Sequence, residues 1–329
     1  MPQELSFGAI IDTVVATLDP ARPALVHGDT RRSWGEVAQR SASLAAAMLA
    51  GGAVAGDRCA LLMRNSAEYA EAMIACLRAR LVHVNVNYRY TGEELWYILD
   101  NSDAAVCVYD AEFAPLVDSI RSRLPTKVWI QLGGDTPAFA QDFETAASAG
   151  HSLPPQDHQP NDMLFIYTGG TTGLPKGVMW DQAALWGLMN PGIDPAVTHD
   201  RAALIADLQA GTGRRKALIL PPLMHGTGLI VALGTLCRGG TLVTLPGANF
   251  DPGEATTTCA AEACDYVVIV GDAFARPILK ALDAGIGSIG TVEIMISSGT
   301  MWSPEVKAGL LGHAPNLMIV DSLGSSEGL

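Results

Sequence analysis

The run Tyr167-Thr168-Gly169-Gly170-Thr171-Thr172-Gly173-Leu174-Pro175-Lys176-Gly177 holds three threonines, four glycines and a lysine in eleven residues. Glycines lack Cβ, so the backbone reaches φ > 0 and its N–H groups come close to an anion, while hydroxyls and an ammonium add donors and charge. Such a loop suits a polyphosphate. The apolar run Met163 to Tyr167 that enters it reads as a buried strand. A strand running into a phosphate-type loop is at home in an α/β fold.

Outward from the loop, the next residues separate it from the Walker type, which needs G-x-x-x-x-G-K and then Ser or Thr opening a helix. Pro175 stands at the final glycine, Gly177 replaces the hydroxyl residue, and Val178-Met179-Trp180 reads as a strand. A glycine-rich turn between strands is the plain alternative. Such a turn has no need of Lys176 or of so many hydroxyls.

Apolar β-rich runs alternate with helical segments along the chain, the pattern of α/β architecture. Ser33-x-x-Glu36 and Thr91-x-x-Glu94 are capping boxes, and Asn65 with Glu68 gives a similar start, so helices are expected near 34–50, 66–79 and 92–100. Cys59 to Met63, Val82 to Val86, Ala104 to Tyr109 and Val128 to Leu132 read as strands around them. Gly133 to Asn161 is rich in Gly, Pro, Gln, His and Asp, and reads as a connection between a first subdomain, 1–160, and a second, 161–329. Strands expected in the second are Met163 to Tyr167, Ala217 to Leu220, Thr241 to Leu245, Tyr266 to Val270, Val292 to Ser297 and Leu317 to Val320. Ligands gather at the carboxyl ends of strands in open α/β sheets. The loop after Tyr167, Pro221 to Gly228, Ser298-Gly299-Thr300 and Asp321 to Glu327 all follow strands and are expected to share that position.

At 329 residues the chain exceeds the size at which one core stops growing, so two packed subdomains are expected. Hydrophobic residues make up 49% and charged residues 17%. The net charge, 21 minus 34 or −13, argues against nonspecific binding to nucleic acid or anionic membrane. Arg214-Arg215-Lys216 is a local basic cluster that reads as a solvated loop. Cys59, Cys76, Cys107, Cys237, Cys259 and Cys264 form no C-x-x-C pair or zinc spacing, which suits buried thiols in a reducing cytoplasm. Apolar stretches such as Leu229 to Leu233 are too short to span a bilayer. A soluble cytoplasmic protein with small-molecule ligands is expected, with no nucleic acid, no transmembrane segment, and homodimerisation left open.

YTGGTTGLPKG resembles the phosphate-binding signature of the adenylate-forming enzymes, the superfamily of acyl-CoA synthetases, luciferases and peptide-synthetase adenylation domains. Two further stretches occur in the family's order. Pro222-Leu223-Met224-His225-Gly226-Thr227-Gly228 is similar to its acyl-pocket motif, and Leu323-Gly324-Ser325-Ser326-Glu327 to its Y-G-x-[ST]-E motif. The resemblance implies two stacked sheet-and-helix subdomains of the family's N-terminal domain, in αβαβα layers. It implies that Thr168, Gly169, Gly170, Thr171, Thr172, Gly173 and Lys176 hold the β- and γ-phosphates of ATP. Glu327 would coordinate Mg²⁺, Ser326 would donate to the α-phosphate with Ser325 beside it among the cofactor-binding residues, and Ser298, Gly299 and Thr300 would flank adenine and acyl group. His225 would orient the carboxylate, and Gly226, Thr227 and Gly228 would leave room for its chain. Lys176, His225 and Glu327 are thus the expected catalytic residues. Since a carboxylate is already ionised, His225 has no proton to remove and its expected role is positional.

Three departures from the family pattern accompany the match. Gly170 stands where many members have serine, and Leu323 where a tyrosine stacks on adenine, a contact worth roughly 0.5–1.5 kcal/mol beyond burial. The family also continues past the position of Leu329 with an acidic ribose-binding residue, a hinge and a C-terminal lid domain carrying a catalytic lysine, so this chain alone is expected to form adenylate poorly. Asn85-Val86-Asn87-Tyr88-Arg89-Tyr90 and Ile269 to Pro277 look most like acyl-CoA synthetases of fatty-acid and sterol side-chain breakdown. The resulting expectation is an ATP-dependent CoA ligase for a hydrophobic carboxylic acid, using ATP, Mg²⁺ and CoA. The alternative is a catalytically incomplete ATP- or adenylate-binding fragment.

Overall fold

Every residue of the stretch Ala104 to Tyr109 is buried, which a strand achieves only when both faces of its sheet are covered. A computed structural model describes residues 5–169, 174–190 and 192–322. In chain order its strands are β1 (Pro23–His27), β2 (Thr30–Ser33), β3 (Arg58–Leu62), β4 (Val82–Asn85), β5 (Ala104–Asp110), β6 (Val128–Leu132), β7 (Gln141–Asp142), β8 (Met163–Thr168), β9 (Lys176–Asp181), β10 (Lys216–Ile219), β11 (Thr241–Thr244), β12 (Tyr266–Ile269), β13 (Ile294–Ser298) and β14 (Met318–Ser322). They form two seven-stranded sheets, ordered β7-β6-β5-β3-β4-β8-β9 and β14-β13-β12-β10-β11-β1-β2. The mixed α/β class is therefore as expected.

The chain divides into two compact units. The first comprises Met1–Arg22, Arg32–Arg64 and Glu68–Ala210. Its strands β3 to β8 pair in parallel, and β9 closes the edge antiparallel to β8. Ala60, Leu62, Val84, Cys107, Tyr109 and Trp129 point to one face, where Leu95, Ile98 and Leu99 of the helix Gly92–Asn101 and Val117 and Ile120 of Ala114–Ile120 pack on them. The helix Trp34–Ala50 starts at the expected capping box: Glu36 accepts from the Ser33 N–H at 2.7 Å, and the Ser33 hydroxyl accepts from the Glu36 N–H at 3.2 Å. At the second box Glu94 accepts from both the N–H and the hydroxyl of Thr91.

The second unit comprises Pro23–Arg31, Asn65–Ala67 and Gly211–Leu329. Strands β1, β11, β10, β12, β13 and β14 pair in parallel. Their inward residues Val26, Leu218, Val243, Val267, Ile269 and Met295 share a core with the helices Pro252–Ala261, Gly271–Asp283 and Pro304–His313.

Three expectations are corrected. The compact units do not divide at 160/161, because β8 pairs with β4 and β9 with β8, keeping residues 163–181 in the first sheet, while β1 joins β11 in the second. Gly133 to Asn161 is not a connection between units. It carries β7 and the helix Phe143–Ser148, whose start Asp142 caps by accepting from the Thr145 N–H at 2.7 Å. Asn65 does not start the helix Ala67–Arg78 with its side chain, which is committed elsewhere. The helix Phe7–Thr17 and strands β1 and β2 were not expected from the sequence.

Candidate functional site

In the first unit the glycine-threonine run is the loop of a hairpin. Thr168 pairs with Lys176 and Tyr167 with Gly177 across β8 and β9, so Lys176 opens a strand, unlike the Walker lysine, which opens a helix. Thr168 is half-buried, while Gly169 and Lys176 are exposed. Among the described residues, nothing lies within 4 Å of where a Cβ on Gly169 would sit. Gly170, Thr171, Thr172 and Gly173 lie outside the described residues.

Tyr167 anchors the stem of this hairpin. Its N–H donates to the Asn85 Oδ1 at 2.7 Å and its carbonyl accepts from the Asn85 Nδ2 at 3.0 Å. Its hydroxyl donates to Asn101 at 2.8 Å, and burial pushes the phenol up to about 12, so it stays a neutral donor. Gly177 lets the ring pack down on β9: a Cβ there would stand 2.8 Å from ring atoms of Tyr167. In the same unit, the segment after β4 places the Tyr88 ring against Phe113, with the Arg64 guanidinium 4.7 Å from its centroid.

In the second unit, Pro221 to Gly228 follows β10 and the Ser298-Gly299-Thr300 turn leaves the end of β13. These strands run parallel with β12 between them and β14 beyond β13, so the two segments leave the carboxyl edge at which β14 also ends. The expectation that the phosphate loop joins them at one sheet edge is corrected, since it belongs to the other sheet. Ser322, paired with Ser298, is the last described residue. Leu323, Gly324, Ser325, Ser326 and Glu327 lie outside the described residues.

Pro221 and Pro222 have no N–H, so this segment cannot extend the β10 ladder. Asn65 serves it instead, donating to the Pro221 carbonyl at 3.1 Å and accepting from the Leu223 N–H at 2.7 Å. The turn then closes as the His225 N–H donates to the Pro222 carbonyl at 3.0 Å. Leu223 and Met224 are buried, and His225 is exposed at the N-cap of the helix Gly226–Cys237. Gly228 is required by its own turn, as a Cβ there would stand 2.6 Å from the Pro222 oxygen. It is the backbone of its own turn that needs the space. Gly299, at φ 90°, is exposed, and among the described residues only Val270 comes near its missing Cβ, at 3.6 Å. The Ser297 hydroxyl accepts from the Gly271 N–H at 2.8 Å and Asp272 accepts from the Ser303 N–H at 3.0 Å, pinning the Ser298–Thr300 turn at both ends.

The cluster Arg214-Arg215-Lys216 lies at the amino end of β10, where Arg215 pairs with Glu293 and Asp265 and Lys216 with Glu262. Its charge is balanced locally. The six cysteines are buried, and burial pushes the Cys237 thiol up to about 12, which leaves it unreactive. Among the described residues no group of three His, Cys, Asp or Glu could hold a metal ion, and no helix is long and apolar enough to cross a membrane.

Asn65, Asn85 and Asn101 were not anticipated as parts of the site. The available signals were a polar residue inside the buried run Val82 to Val86 and two consecutive prolines whose neighbours must find hydrogen-bond partners off the ladder.

A family model described as AMP-binding enzyme matches residues 13–329. The medium-chain acyl-CoA ligase Mig of Mycobacterium avium is 35% identical over 95% of this chain and 61% of that protein. The 3-oxocholest-4-en-26-oate–CoA ligase of Rhodococcus rhodochrous is 32% identical over 97% of this chain and 60% of that protein. The chain thus spans 61% and 60% of the length of these relatives. Among solved structures, the anthranilate CoA ligase AuaEII with anthranoyl-AMP aligns with a TM-score of 0.85 at 18% identity, covering 99% of this chain and 61% of that one. The N-terminal domain of FACL13 from Mycobacterium tuberculosis aligns at 0.79 and 20% identity, covering 98% and 76%. At these identities the structures bear on the fold, which is that of such an N-terminal domain.

Proposed function

The chain belongs to the AMP-binding enzyme family, and from that membership we propose that it works in an ATP-dependent CoA ligase for a hydrophobic carboxylic acid. The observation that carries the reading is the likeness, along nearly the whole chain, to ligases named for medium-chain acyl groups and a sterol side-chain acid.

A carboxylate oxygen attacks the α-phosphorus of ATP, a bond forms to phosphorus, and pyrophosphate leaves with the cleaved oxygen. The thiol of CoA then attacks the acyl carbon, its proton is lost, and AMP departs. The first step needs positioning and neutralisation of phosphoryl charge more than proton transfer. Thr168 to Gly173 and Lys176 would hold the β- and γ-phosphates, and Ser325 and Ser326 the α-phosphate. Magnesium arrives as part of the MgATP substrate, with Glu327 offering an oxygen ligand. His225, exposed at the head of its helix, would orient the carboxylate; Gly226 and the open side of Gly299 would leave room for the acyl chain; and Ser298 to Thr300 would flank the adenine. Gly228 serves by packing the turn.

Pyrophosphate release tests the reading, using ATP with butanoate, dodecanoate, hexadecanoate and a sterol-derived acid, with and without CoA. Acid-dependent release is the expected result. ATP protection against thermal unfolding without release would favour a nucleotide-binding module, and neither effect would overturn both.

A further inference from the structure

We propose that two asparagines, Asn85 and Asn65, are separate positioning residues, the first for the nucleotide and the second for the acid; the assignment of ligands rests on the function proposed above. Each side-chain amide acts as a substitute peptide group where a strand ladder ends. At β4 the ladder to β8 pairs His83 with Leu164 and Val84 with Phe165. Beyond it, the buried Asn85 amide both donates to and accepts from Tyr167, the residue before the glycine-threonine run. At β10 the prolines end the ladder, and Asn65 bonds the Pro221 carbonyl and the Leu223 N–H, two residues before His225.

In both places the side chain bonds the backbone from which the functional segment departs. Removing either amide orphans one backbone donor and one backbone acceptor at the base of one loop. The two clamps share no residue and brace different segments. A merely structural role would weaken both ligands together. Positioning predicts a crossed pattern.

The test measures dissociation constants of the whole 329-residue chain for MgATP and for dodecanoate by calorimetry. Asn85→Ala is expected to weaken MgATP about tenfold and leave dodecanoate within about twofold; Asn65→Ala is expected to do the reverse. Amide hydrogen exchange should rise at Tyr167 in the first variant and at Leu223 in the second. Asn85→Gln and Asn65→Gln, which keep donor and acceptor on a stem one methylene longer, give smaller effects of the same sign and serve if an alanine variant fails to fold. Both constants moving together, or neither moving, overturns the inference. A wild-type chain that binds neither ligand overturns the functional reading instead, with amide exchange still reporting on the clamps.

Discussion

Glycines at the candidate site divide into those that the fold needs and those left for a ligand. Gly228 faces the Pro222 and Pro221 oxygens, at 2.6 and 3.1 Å from a Cβ position, and backbone cannot step aside as a flexible side chain can. Gly228→Ala should therefore cost about 1–3 kcal/mol, seen as a lowered midpoint in denaturant with an unchanged slope. Among the described residues, nothing crowds the Cβ position of Gly169. Gly169→Ala should leave the midpoint unchanged and weaken MgATP, because the backbone around it is meant to approach phosphate. A loss of stability in the second variant, or none in the first, would contradict this division. The sequence announced both positions only as glycine. Which neighbour fills the space of a missing Cβ is decided by tertiary packing, so the packing role of Gly228 is not legible in the sequence.

Among the elements, the segment at 151–162 is held to the helix Phe7–Thr17 by charge. His158 donates or accepts at 3.0 Å with Asp12 and stands 3.9 Å from Asp162, while Arg78 bonds Asp12 and Arg80 bonds Asp162. Burial disfavours a charged imidazole, but the two carboxylates outweigh it and raise the His158 pKa; burial likewise opposes the two carboxylates, whose pKa values are nevertheless held low. A histidine raised on folding adds stability that is complete below its unfolded pKa, about 6.5, and is lost as pH rises through the folded value. The thermal midpoint should thus fall as pH rises above about 6.5, and His158→Gln should remove that component. A wild-type midpoint flat from pH 6 to 8, or a variant with the same slope, would refute the latch. Long elements with strong local signals were legible: the helices at 34–50 and 92–101 begin at their capping boxes, and β6 has the expected limits. The helix Phe143–Ser148 is short and sits among prolines and glycines, so local composition hid it.

For the whole molecule, the two units are interleaved in sequence: the chain crosses between them at 22/23, 31/32, 64/65, 67/68 and 210/211, five times. Fragments cut at 160/161 should therefore fail to fold, since the first loses β8 and β9 and the second loses β1 and β2. Soluble fragments with cooperative thermal transitions would contradict this. The class of fold and most of the strands along the chain were readable from the sequence pattern, β1, β2 and β7 excepted, whereas the lateral order within each sheet was not. Nothing in Pro23 to His27 states that its neighbour will be Thr241 to Thr244. That pairing has a temporal consequence. His27 meets the hydroxyl of Thr244, 217 residues later, so during synthesis at 5–20 residues per second the nascent β1 waits roughly 10–40 s for its partner to emerge. Through that interval Ala24, Leu25 and Val26, fully or nearly fully buried in the finished sheet, remain an unsheltered apolar strand, open to pairing with a neighbouring nascent chain.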